Sequence, residues 1–82
     1  MILAARTPQQ LGGDLRRYRK KRGMTQAQLS GKIEKRQATI SALETAGGGT
    51  VETLFAILSA LDLELSIRPR SKGSQVRLED IF

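Results

Sequence analysis

A chain of 82 residues without cysteine or histidine has room for one small domain with a limited core, and it offers no disulfide, no thiolate or imidazole ligand and no Cys or His for catalysis. Its 14 lysines and arginines against 8 acidic residues leave a formal charge of +6, which attracts polyanions. The carboxylates are scattered instead of clustered as hard cations require, so no catalytic residue, metal site or cofactor is expected.

The first six residues, MILAAR, are too few for the apolar region and cleavage site of a signal peptide. No run approaches membrane length, so a cytoplasmic protein is expected. Thr7-Pro8-Gln9-Gln10 opens the first helix: Thr as N-cap, Pro at the first helical position, and Gln three residues after the cap. Leu11, Leu15 and Tyr18 form its apolar stripe, while Gly12 and Gly13 weaken the first turn and suit the close approach of another helix. The basic run RRYRKKR, residues 16–22, then has two readings, a surface for polyanions or a cationic helix terminus that complements the macrodipole. Gly23 supplies a left-handed stop.

Thr25 and Gln28 make a second capping box, with Met24 and Leu29 at the staple positions. The helix it starts runs to about Lys32 or Ile33, and a turn of three or four residues leads to a third helix from about Gln37 to Thr45 with Ile40 and Leu43 inward. Two short helices joined so tightly form a helix-turn-helix. Ala46-Gly47-Gly48-Gly49 reads as a connector, since the alternative, a phosphate cradle, lacks the Lys and Ser/Thr of a nucleotide loop. Thr50 caps the most apolar helix, VETLFAILSAL.

The period then changes. Leu61, Leu63, Leu65 and Ile67 alternate with Asp62, Glu64, Ser66 and Arg68, which suits a strand with one buried face. A lone strand leaves its backbone unpaired, and the economical partner is the same strand of a second copy, antiparallel about a two-fold axis. The alternative is an extension of the fourth helix. The expected division is therefore a helix-turn-helix domain over residues 7–61, a dimerisation strand over 62–68 with Leu61, Leu63, Leu65 and Ile67 at the interface, and a flexible tail over 69–82 closing on LEDIF. That tail reads as simple disorder, a partner-docking peptide or a protease recognition element.

TQAQLSGKIEKRQATISALE, residues 25–44, resembles the helix-turn-helix of the xenobiotic response element family of regulators, which includes the Cro/CI-like phage repressors; Thr25, Gln26, Leu29, Lys32, Ile33, Thr39, Ile40, Ser41 and Glu44 carry the match. TPQQL, RQATIS, TLFAIL and LDLELSI narrow the resemblance to the HipB-type antitoxins over residues 7–68. The resemblance implies an all-α, lambda-repressor-like domain of four to five helices with one C-terminal β-strand pairing across a dimer. It further implies a repressor of its own operon that acts as antitoxin to a HipA-type kinase toxin. In such proteins an arginine of the first helix faces a glutamate late in the third, positions matched by Arg19 and Glu44. Two departures stand out: Glu34 and Lys35 replace the usual glycine and aliphatic residue of the turn, and Ser30 takes a place normally held by alanine. A non-glycine residue in a left-handed turn costs on the order of 1 kcal/mol, so the sequence leaves open whether the turn is re-shaped.

As a recognition helix, residues 36–45 would present Arg36, Gln37, Ala38 and Ser41 to base edges from the end that enters the major groove. Gln37 can bond adenine bidentately, Ala38 can touch a thymine methyl, Ser41 can bond either base type, and Arg36 suits a guanine or a phosphate. Lys35 and the amino end of the second helix, at Thr25 and Gln26, are the phosphate contacts. The expected partners are double-stranded operator DNA with an inverted repeat, a second copy of the chain and the toxin, with no membrane and a cytoplasmic, nucleoid-associated location. RNA is disfavoured because Tyr18, Phe55 and Phe82 are the only aromatic residues. The alternatives are a solitary repressor without a toxin, and a protein-interaction module whose DNA binding is incidental.

Overall fold

The structure, a computed structural model, describes residues 4–70, so most of the tail expected over 69–82, LEDIF included, lies outside the described residues. Four helices follow one another: α1 (Pro8–Lys21), α2 (Gln26–Ile33), α3 (Gln37–Ala46) and α4 (Val51–Ala60). α1, α2 and α4 each start where a threonine side chain satisfies one of the exposed first-turn amides. Thr7 accepts from the Gln10 amide at 3.1 Å. The Gln10 carboxamide accepts from Arg6 at 2.7 Å, one residue further back than a simple capping box would reach. In α2 the box is complete, with Thr25 accepting from the Gln28 amide at 3.0 Å and Gln28 accepting from the Thr25 amide at 2.8 Å. Thr50 caps α4 by accepting from Thr53 at 3.1 Å.

The core is one cluster of Leu15, Leu29, Ile40, Leu43, Ile57, Leu58 and Leu61, flanked by half-buried side chains that include Leu11, Tyr18, Met24, Ile33, Leu54 and Leu63. Every helix contributes to it. α3 lies against both α1 and α2, and α2 also packs on α4. The α1–α3 approach depends on Gly12, where a Cβ would stand 2.1 Å from the Leu43 carbonyl oxygen; Gly13 meets nothing comparable. Gly47 ends α3 at φ 73, and a side chain there would strike Pro8 of α1. The glycine run is thus partly a packing element: it lets the end of α3 touch the start of α1.

Asp62 ends α4. It adopts φ 59, its amide donates to the Ser59 carbonyl at 3.1 Å, and the Leu63 amide donates to the Leu58 carbonyl at 2.8 Å. These two bonds make a Schellman motif, which turns the chain away from the helix axis and brings Leu63 back toward the core. The fourth helix therefore does not extend through residues 62–68. No strand occurs among the described residues, and residues 63–70 are irregular. The fold shown is all-helical, with four helices among the described residues.

Candidate nucleic-acid interface

α3 turns two different faces to its surroundings. Ile40 and Leu43 are buried, whereas Arg36, Gln37, Ala38 and Ala42 are exposed and Ser41 is half-buried beside them. Small side chains at three of these places let a groove come close to the helix backbone. Arg36 occupies the N-cap but forms no side-chain cap. The amides of Thr39 and Ile40 return to the Arg36 carbonyl at 3.0 and 3.4 Å. The amides of Gln37 and Ala38, in the first turn, have no partner within a helix and suit an acceptor from outside.

A network at the α1–α3 contact holds this face in place. Arg19 donates to both carboxylate oxygens of Glu44, Nε to Oε2 at 2.6 Å and Nη2 to Oε1 at 3.0 Å. Its Nη1 donates to the Met24 carbonyl at 2.7 Å, and Gln26 Nε2 donates to Glu44 Oε1 at 3.0 Å. Arg19 and Glu44 are each only 5% exposed. Burial alone would raise the Glu44 pKa, but the hydrogen bonds from Arg19 and Gln26 and the positive charges of Arg19 and Arg16 outweigh it and hold the carboxyl below the ordinary glutamate value. One network therefore ties α1, the start of α2 and the end of α3 together.

Two expected contacts change character. The Thr25 amide is not free for a phosphate, because Gln28 accepts from it, so an anion at this end of α2 would meet the amides of Gln26 and Ala27. The Gln26 side chain faces Glu44, which leaves its second amide proton for a ligand. Lys35 is half-buried in the turn, and Thr25 is exposed.

A cleft of about 420 Å³ lies beside the α3 face, lined by Arg16, Gln26, Ser41, Glu44 and Thr45. Thr45 was not singled out in the sequence as a contact, and Arg16 was read only as part of the basic run 16–22. Thr45 stands four residues after Ser41 and so shares its face, a spacing that could have revealed it; Arg16 comes from α1, where the charge of its run was legible but its place beside α3 was not.

The presumed interface residues divide as well. Leu61 is 2% exposed and belongs to the core of its own chain, so it is not available to a second copy; the Schellman turn after α4 seats it there. Leu63 is half-buried against the same core. Leu65 and Ile67 are open to solvent, as are Val51 and Phe55 on α4, with Ile67 92% exposed.

Among the described residues no group of three or more acidic residues could hold a metal ion, and no helix is long and apolar enough to cross a membrane.

The pattern of the helix-turn-helix family matches residues 15–67. No curated protein sequence matches the chain. Solved structures do. A complex of a HipB variant with an O2 20-mer aligns with a TM-score of 0.80 at 33% identity, covering 87% of this chain and 100% of that one. A HipB complex with an O4 20-mer gives 0.78 at 32%, and a HipA–HipB–O2–O3 complex 0.77 at 32%; each covers 85% of this chain and 100% of that one.

Proposed function

Since the chain belongs to the helix-turn-helix family and is a HipB-type member of it, we propose that it is a sequence-specific DNA-binding repressor that serves as antitoxin to a HipA-type kinase and regulates its own operon. It is a binding protein, not an enzyme. The observation that carries this reading is the exposed amino end of α3, where Gln37, Ala38 and Ser41 stand clear of the core on a helix whose first amides are open.

Gln37 bonds an adenine edge, Ala38 meets a thymine methyl and Ser41 bonds an adjacent base, while Arg36 clamps a guanine or a phosphate. Lys35, the Thr25–Gln26 end of α2 and Arg16 across the cleft meet the backbone of the duplex. Those contacts set register and affinity but not sequence. Two such helices are needed for a stable specific site. Leu65 and Ile67, like Val51 and Phe55 on α4, are exposed apolar side chains, and a second copy covers them, with residues 62–68 pairing antiparallel as a strand. The dimer then demands an inverted repeat with half-sites about one helical turn apart. The protein is placed in the cytoplasm, at the nucleoid.

The resemblance to a solved structure in which HipB is bound with HipA and DNA supports the antitoxin assignment. Footprinting on the DNA upstream of the gene, with and without the protein of the neighbouring gene, tests the proposal. A protected inverted repeat, together with a stable complex with a kinase-like neighbour, is the expected result. Protection without any such partner would reduce the protein to a solitary repressor, and no protection at all would leave a protein-interaction module.

A further inference from the structure

The turn between α2 and α3 places Glu34 at φ 57 and ψ 43, the left-handed region. A Cβ there clashes with the following carbonyl, at a cost that glycine escapes. Something must hold the turn closed against that cost. Ser30, one turn earlier on α2, makes every bond in reach: its carbonyl accepts from the amides of Glu34 and, at 3.2 Å, Lys35, and its hydroxyl donates to the Lys35 carbonyl. Lys35 is thus gripped at both its amide and its carbonyl by a single residue. Arg36 and Gln37, the cap and first residue of α3, follow directly.

We propose that Ser30 is a positioning residue for the recognition helix: its hydroxyl clasps Lys35 and fixes the direction in which α3 leaves a turn that has no glycine. Ser30 touches no base. It acts through the backbone of residues 34–36, and the two departures of this turn from glycine and of α2 from a plain alanine compensate each other. The effect on DNA rests on the DNA-binding reading above; the effect on the turn does not.

Three chains test it: wild type, Ser30→Ala, and Ser30→Ala with Glu34→Gly. Amide exchange of the free protein reports how firmly the turn is held at Lys35, whose amide donates to the Ser30 carbonyl, residual dipolar couplings report the α2–α3 angle, and titration with the duplex that the wild type enriches from a random DNA pool reports binding. Ser30→Ala is expected to speed exchange at Lys35, broaden or shift the α3 orientation, and weaken operator binding by about three- to tenfold while helix content stays unchanged. Adding Glu34→Gly, which removes the cost of the left-handed residue, is expected to recover most of that loss. Unchanged exchange and orientation in Ser30→Ala, or a loss that Glu34→Gly fails to recover, would overturn the clasp. Should the wild type select no DNA site, the DNA-binding reading fails, and the exchange and orientation measurements still decide the role of Ser30.

Discussion

Arg19 and Glu44 are separated by 25 positions in the chain, yet they share two hydrogen bonds in a nearly dry environment. Removing one leaves the other buried without a counter-charge, so Glu44→Ala should cost about 3 to 5 kcal/mol, read from urea unfolding. The same pair makes stability depend on pH. Because the folded state holds the Glu44 carboxyl below the value it has when unfolded, its contribution is complete above the ordinary glutamate range and is lost as pH falls through the lower, folded value. Wild type should lose stability on acidification through that window, and Glu44→Gln should show a flatter acid limb. At Gln37 the expectation concerns specificity: Gln37→Ala should cost about 1 to 3 kcal/mol with the native site and erase preference at one base position, in titrations against single-base variants. If every variant weakens equally, Gln37 does not read a base. Helical spacing made the exposure of Gln37 and Ala38 legible in the sequence, since the buried Ile40 and Leu43 fix the opposite face. The tie from Gln26 and Met24 to the ion pair was not legible, because no local pattern links residues so distant in the chain. Leu61 satisfies both a helical and a two-residue period, so its burial could be settled only in three dimensions.

Helix starts were easier to read than helix ends. Thr7, Thr25 and Thr50 all cap by accepting from the amide three residues on, which the sequence could announce because capping is an interaction within four residues. The ends at Glu34 and Asp62 carry no glycine to announce them, and both are left-handed. At Asp62 the Schellman bonds and the seating of Leu63 on the core compensate; at Glu34 the clasp from Ser30 does. The sequence leaves open whether the missing glycine alters the turn; Glu34 itself takes the left-handed conformation. The close approach of α1 to α3 rests on one of two neighbouring glycines. Gly12→Ala would place a methyl 2.1 Å from the Leu43 carbonyl, and the helices would have to separate, costing about 1 to 3 kcal/mol or more in thermal or chemical unfolding. Gly13→Ala, with open space around it, should instead be neutral or mildly stabilising through better helix propensity.

The whole molecule carries a charge of +6 and exposes Val51, Phe55, Leu65 and Ile67, apolar side chains that its own core does not use. In the function proposed above, those two features belong to two surfaces, one for polyanions and one for a second copy. The second surface is tested by charging it: Leu65→Glu should leave the helical fold and its unfolding midpoint close to wild type, while sedimentation shows a monomer and tight DNA binding disappears. A dimer indifferent to that change would discard the strand-pairing arrangement. The period-two run was plain in the sequence, but a strand needs a neighbour to pair with, and in the single chain residues 63–70 are irregular. The charge itself predicts an affinity that declines steeply with salt, by a logarithmic slope set by the number of phosphates contacted. Both surfaces meet in one result. Selection from a random DNA pool at physiological salt should enrich a palindrome with half-sites about one helical turn apart, and the Gln37→Ala protein should enrich a relaxed version of it; a pool that stays random with the wild-type protein, or enriches a single unrepeated element, would contradict the account.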